Sequence, residues 1–89
     1  MEPVLIEKEA VKDLTFWKSA TTSPSEDIRK KLEEATFLGN SLHHKVGIIF
    51  EDDEGIKQIN TTIWATGQKF ICIKGGMWIP IDHILEIKL

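Results

Sequence analysis

The side chains best suited to chemistry in this sequence are three histidines, one cysteine and a run of acidic residues. His43 and His44 are adjacent, so on a strand they point to opposite faces and cannot readily hold one metal ion. Cys72 and His83 lie far away and lack the short paired spacing of a zinc site. We therefore predict no metal and no cofactor, and interpret these residues as structural.

Catalytic groups are equally sparse. The acidic run 51–54 lacks the alternating ligands of a calcium loop, so we interpret it as a solvated hairpin tip. No serine lies in a Gly-x-Ser-x-Gly turn, and Cys72 lies among isoleucines, where a thiolate is unfavourable. The glycine pair 75–76 indicates a tight turn rather than a phosphate-binding loop. An enzyme, or an enzyme subunit, using Asp82 and His83 is the least favoured function.

Two tryptophans are the strongest candidates for a binding surface. In the alternating run 59–65 the apolar residues take the core face, which leaves Asn60, Thr62 and Trp64 on the opposite face. Trp78 occupies the equivalent position on a later strand and is expected to be a neighbour of Trp64 across the sheet. The predicted binding residues are therefore Trp64, Trp78, Thr62 and Asn60.

Two interpretations of this face are open. Phe16 and Trp17 of the N-terminal segment could pack over Trp64 and make it part of the core. Alternatively, Trp64 and Trp78 are exposed and anchor a partner or stack on bases. The first functional hypothesis is therefore a non-enzymatic binding module that engages a protein partner or a second copy of itself.

A second hypothesis is a nucleic-acid-binding barrel with lysines around the aromatic surface, namely Lys45, Lys57, Lys69 and Lys74. The charge balance disfavours it, because the net charge is −3. The first forty residues hold six basic and eight acidic side chains, and the remainder hold five and six. Neither part would attract phosphate backbones or anionic membranes without specific contacts.

Length and composition predict one domain over residues 1–89. A chain of 89 residues is too short for two cores, and its 42% hydrophobic residues suffice for one. A single cysteine excludes an intrachain disulfide and favours a reducing compartment. The N-terminus lacks the features of a signal peptide, and no apolar stretch approaches the ~20 residues of a spanning helix. We expect a cytoplasmic protein without membrane association.

The clearest predicted element is a helix over residues 24–38. Ser23 can cap it, Pro24 suits its first position and Glu26 completes a capping box. An apolar stripe follows at helical spacing, formed by Ile28, Leu32 and Ala35. The pair 39–40, Gly-Asn, is expected to end the helix in a left-handed conformation.

Upstream, apolar spacing predicts a shorter helix over about 7–18, although residues 3–6 could equally form an extended arm. Residues 19–23 would link the two helices.

From residue 42 onward the apolar period becomes two, which predicts five strands. Turn signals separate the first four, and a single helical turn or sharp corner at 80–83 precedes the fifth. The second run, 56–66, is long enough to bend, and Gly47 would allow the first strand to bend as well. We predict an α+β fold in which a helical N-terminal segment, 1–40, precedes a five-stranded antiparallel meander, 41–89, closed into a small β-barrel.

A helix followed by five strands, ending in the alternating segment from Ile79 to Ile87, resembles the SH3-like and Sm-like small barrels. Within that group the chain resembles the Rof family, whose members bind the termination factor Rho. The segments Thr61-Thr62-Ile63-Trp64-Ala65-Thr66 and Ile79-Pro80-Ile81 are also similar to short bacterial proteins of unassigned function. The resemblance implies a binding barrel and transfers no functional residue.

Overall fold

The computed structural model describes residues 3–17 and 26–89, and these residues form one α-helix, seven strands and two 3-10 helices. In chain order they are β1 (Val4–Leu5), a 3-10 helix (Lys8–Asp13), α1 (Glu26–Leu42), β2 (Val46–Asp52), β3 (Gly55–Thr61), β4 (Ile63–Thr66), β5 (Phe70–Ile73), β6 (Met77–Pro80), a second 3-10 helix (Ile81–His83) and β7 (Ile84–Lys88). The α+β class is as predicted.

The strands form two sheets, with the orders β1-β3-β2-β7 and β4-β5-β6. All neighbours are antiparallel except β1 and β3, which run parallel. Thr62 alone separates β3 from β4, so the chain passes directly from the first sheet into the second. The second 3-10 helix, Ile81–His83, returns it to the first sheet, which confirms the helical turn predicted before the last strand.

The predicted closed barrel of five strands is wrong. In the described part of the chain no ladder joins the two sheets. Instead, α1 packs against β4 and β7, while the first 3-10 helix packs against β3 and β6. A closed barrel would need strands of the two sheets to pair at a spacing of about 4.8 Å. Here α1 contacts both β4 and β7, and the first 3-10 helix contacts both β3 and β6, so these elements take the place of closing ladders. The predicted second strand is split by Thr62 and by a bulge between Ile63 and Ala65.

The core lies between the two sheets and is built mainly from isoleucine. Strands β2, β3 and β7 contribute one wall, and strands β4, β5 and β6 contribute the other. Leu32 and Ala35 of α1 are fully buried in it, as their position on the predicted apolar stripe requires. Val11, from the first 3-10 helix, is also buried in this core.

Helix α1 does not end at the predicted Gly-Asn pair but continues to Leu42. His43 takes the left-handed conformation, with φ of 54°, and its N–H donates to the Gly39 carbonyl at 3.1 Å. Gly39 itself lies within the helix and is buried. A Cβ at this position would lie 2.4 Å from the Ile63 carbonyl oxygen, so glycine here allows α1 to approach the backbone of β4.

The predicted N-terminal helix over 7–18 is also wrong. Of the described residues in this range, 7–17, only Lys8–Asp13 is helical, and it is a 3-10 helix. The extended alternative for residues 3–6 is confirmed, because β1 pairs with β3 and the Ile6 N–H donates to the Gln58 carbonyl at 2.9 Å. The predicted linker 19–23 and the cap at Ser23 lie outside the described residues.

The tip of the β2–β3 hairpin holds residues 14–17 extended. The Thr15 hydroxyl donates to Asp53 Oδ2 at 2.7 Å, and the Trp17 N–H donates to the same oxygen at 3.2 Å. The Asp53 N–H donates in turn to the Thr15 carbonyl at 3.0 Å. These bonds replace the helical bonds that the apolar spacing predicts, because the segment finds its partners in a distant hairpin.

The same hairpin contradicts the interpretation of 51–54 as a wholly solvated tip. Asp52 is 5% exposed, and its Oδ1 accepts the N–H groups of Glu54 and Gly55, both at 2.9 Å. Lys57 Nζ lies 3.2 Å from the same oxygen. Asp52 therefore organises the turn from inside the fold.

Candidate functional site

An open groove of about 580 Å³ lies between the extended segment 14–17 and strand β6. We call it the aromatic groove. Its lining is formed by residues 14–17 and by Lys69, Phe70, Trp78, Pro80, Asp82 and His83. Three of its aromatic side chains are unusually open to solvent, since Trp17 is 89%, Trp78 57% and Phe70 46% exposed. Bulky apolar groups gathered at one surface mark an interaction site more often than scattered ones do.

The pairing of β5 with β6 places two of these aromatic rings. Phe70 lies opposite Pro80, and Cys72 lies opposite Trp78. Alternate residues of these strands, Ile71, Ile73 and Ile79, are fully buried. Because successive side chains of a strand point to opposite faces, the Phe70 and Trp78 rings lie on the outer face of the sheet.

Strand β6 is the edge of its sheet in the described residues, and its backbone borders the groove. The Phe70 carbonyl accepts the Gly67 N–H at 2.8 Å, so Phe70 directs its backbone groups away from β6. Cys72, two residues later on the same strand, also directs its N–H and C=O away from β6. Trp78 lies opposite Cys72, and its N–H and C=O therefore point away from β5, to the side on which no described strand pairs with β6. The first 3-10 helix also packs against β6.

His83 closes one end of the groove through structural contacts. Its Nδ1 lies 3.0 Å from the Glu51 carbonyl oxygen. A carbonyl can only accept, so Nδ1 carries the proton and donates. The ring meets Phe16 edge-on, with centroids 5.2 Å apart, and Phe16 also packs against Phe50 at 5.8 Å. His83 is thus held by backbone and core. Among the described residues no three His, Cys, Asp or Glu side chains cluster as metal ligands.

The charges of the aromatic groove nearly cancel. Lys69 and Asp82 are its fully charged lining residues, and both are exposed. A surface that follows a phosphate backbone needs several basic groups. The lining of the groove holds one such group, Lys69.

Trp64 does not share this groove. It is 46% exposed and lies in a separate depression beside Lys8, Lys12, Lys74 and Met77. The aromatic rings that pair with Phe16 are Phe50 and His83, not Trp64.

The predicted pairing of the two tryptophans across the sheet is also wrong. The ladder partner of Trp78 is Cys72, and the other partner of Cys72 is Ala65.

The two polar residues of the predicted site lie elsewhere again. Thr62 is 4% exposed at the junction of β3 and β4. Asn60 is on the exposed face of the other sheet, where its Oδ1 accepts from Gln58 Nε2 at 3.2 Å. The break at Thr62 and the bulge after Ile63 disturb the strict alternation that the sequence pattern assumes. The structure therefore disperses the four predicted residues.

The four predicted lysines are dispersed as well. Lys57 is paired with buried Asp52, and Lys69 lines the aromatic groove. Lys45 and Lys74 line a different cavity, beside Lys8.

Lys8 Nζ lies 2.6 Å from Glu9 Oε1. That hydrogen bond lowers the pKa of the Glu9 carboxyl below its usual range.

Sequence reasoning missed Phe70 as a surface residue and placed Trp17 in a helix. The signal for Phe70 is present: it alternates with buried Ile71 and Ile73, as Trp78 does with Ile79. For Trp17 there is no local signal, because its position depends on Asp53.

None of the described helices is long and apolar enough to cross a membrane. Comparison of the chain with protein-family models, with curated proteins and with solved structures finds no match. The resemblance to the Rof family therefore stays a prediction.

Proposed function

We propose that this protein is a non-enzymatic binding module of the cytoplasm that holds an extended segment of a protein partner in the aromatic groove. The observation that carries the proposal is the edge of β6, with which no described strand pairs, next to exposed aromatic rings. Trp78 contributes to both, because its backbone groups point away from β5 to that edge and its ring is 57% exposed.

An extended peptide fits this arrangement better than a folded surface. Its backbone can pair with the edge of β6, and its alternate side chains can contact Trp17, Phe70 and Trp78. Main-chain pairing supplies affinity, and aromatic contacts supply most of the specificity. Pro80, at the end of β6, has no N–H to donate and so limits pairing to the residues before it.

The test is selection of peptides from a random display library against the wild-type protein, with Trp78→Ala as the counter-selected variant. Enriched peptides should shift the amide resonances of residues 14–17, 69–70, 77–79 and 81–82 in two-dimensional NMR spectra. The Trp78 amide should exchange more slowly in the complex, because pairing protects it. Trp78→Ala should weaken binding by about 2 kcal/mol or more, as truncation of an interface anchor does.

Phe37→Ala is the matched control, because Phe37 is an aromatic residue, 67% exposed on α1 and outside the aromatic groove. Its peptide affinity should equal that of the wild type. The proposal is overturned if no peptide is enriched, if shifts fall outside the groove, or if the two variants behave alike. Self-association abolished by Trp78→Ala in sedimentation experiments would assign the groove to a second copy of the chain and also overturn it.

A further inference from the structure

A second cavity, of about 540 Å³, lies between the N-terminal segment and the end of strand β3. We call it the lysine cavity. The residues that matter for its chemistry are Lys8, Lys45, Lys74, Asn60, Thr61 and Glu7. It is separate from the aromatic groove, since the two share no lining residue.

The lysine cavity is basic in a protein whose net charge is −3. Lys8 is engaged by Glu9. Lys45 and Lys74, by contrast, have no ion-pair partner among the described residues and both are exposed. One carboxylate, that of Glu7, opposes them on the lining. Two unpaired ammonium groups at one cavity attract an anion.

An uncompensated hydroxyl group at the end of β3 points to the same kind of ligand. Thr61 is 1% exposed, and its Oγ1 has no hydrogen-bond partner among the described residues. Buried hydroxyl groups are nearly always hydrogen-bonded. The Asn60 backbone groups point to the side of β3 that faces the N-terminal segment. The Gln58 carbonyl, two residues earlier, accepts the Ile6 N–H on that side. A bound oxyanion would satisfy the Thr61 hydroxyl, which has no partner among the described residues.

The depression that holds Trp64 adjoins the lysine cavity, because Lys8 and Lys74 line both. Lys12 adds a further basic group beside the ring, and Glu9, which is hydrogen-bonded to Lys8, adds a carboxylate. A half-exposed indole next to an anion site can stack on a planar, electron-poor ring system. The combination suits a ligand that carries a phosphate group and an aromatic base.

We propose that the lysine cavity and Trp64 together bind a free mononucleotide, with the phosphate between Lys45 and Lys74 and the base against the indole. The phosphate accepts hydrogen bonds from the two ammonium groups and from the Thr61 hydroxyl. The occupant is a small molecule rather than a nucleic acid chain, because the lysine cavity offers only a few basic groups and the acidic balance of the chain opposes a long polyanion.

The test is an NMR titration of the protein at low ionic strength with adenosine 5′-monophosphate, adenosine, inorganic phosphate and a single-stranded oligonucleotide. The mononucleotide should bind more tightly than adenosine or phosphate alone, with shifts at residues 7–10, 45, 60–64 and 74. Lys45→Gln and Lys74→Gln should each weaken it about tenfold, as loss of a charged hydrogen bond does. Lys31→Gln, which removes an exposed lysine on α1, should leave its affinity unchanged.

Thr61→Val separates ligand binding from folding. It removes a buried hydroxyl without a partner, so the free protein should unfold at the same or a higher temperature. Its affinity for the mononucleotide should nevertheless fall. The proposal fails if the mononucleotide causes no shifts, if Lys45→Gln and Lys74→Gln bind it as well as Lys31→Gln does, or if only the oligonucleotide binds.

Discussion

Replacing Gly39 with alanine tests how closely α1 packs on strand β4. In an isolated helix this change is favourable, because alanine exceeds glycine in helix propensity by about 1 kcal/mol. Gly39 lies in the interior of α1 and has ordinary helical geometry, so propensity alone predicts that the variant is more stable than the wild type.

The structure predicts the opposite sign. The alanine Cβ would lie 2.4 Å from the Ile63 carbonyl oxygen and 2.8 Å from Thr62 Cγ2. The first contact is with backbone, so no side-chain rotation relieves it, and helix and strand must separate. Overpacking of this kind costs about 3 kcal/mol at the upper end of its usual range. After the gain in propensity of about 1 kcal/mol, the net destabilisation is about 2 kcal/mol.

Urea unfolding followed by circular dichroism measures the difference directly. A loss of about 2 kcal/mol corresponds to a drop in melting temperature of roughly 10 °C for a domain of this size. Asn40→Ala is the matched control, since Asn40 is the next residue of α1 and is exposed. It should be neutral or slightly stabilising. A Gly39→Ala variant as stable as Asn40→Ala would refute the close approach of α1 to β4.

Three further perturbations follow from the side-chain contacts. Asp52→Ala leaves Lys57 without its carboxylate partner at a largely buried site and should lower the free energy of unfolding by about 3 kcal/mol in urea titrations. Asp53→Ala should destabilise by about 1 kcal/mol and accelerate amide exchange in the segment 14–17, while exchange in β5 stays unchanged. Lys8→Gln should return the pKa of Glu9 towards its ordinary value in a carbon-13 titration. Because that pKa is lowered in the folded protein, the small stabilisation it reflects is present at neutral pH and is lost as the pH falls through the acidic range.

The sequence was informative where structure depends on neighbours along the chain. The apolar stripe of α1, the alternation that buries Ile71, Ile73 and Ile79, and the helical turn after Pro80 follow from local spacing and turn chemistry. The same reasoning failed at Gly39, where it assigned a left-handed stop. The glycine is required by a strand more than twenty residues away, and no local pattern reveals that requirement.

The candidate sites show the same difference between what local pattern predicts and what long-range contacts decide. Alternation along β6 was sufficient to place Trp78 on the outer face of its sheet. Alternation across Thr62 was not sufficient to place Trp64. The chain changes sheets at Thr62 and a bulge follows, so Trp64 lies beside lysines rather than beside Trp78.

What the sequence by itself determined is an α+β domain with the helix α1 and short alternating strands, because hydrophobic period and turn residues act over a few positions. Tertiary structure alone decided that the sheets do not close into a barrel and that the extended segment 14–17 forms one wall of the aromatic groove. The first outcome depends on contacts of α1 with β4 and β7, and the second depends on the hydrogen bond between Thr15 and Asp53. Both join residues far apart in the sequence, and the local pattern does not reveal such partners.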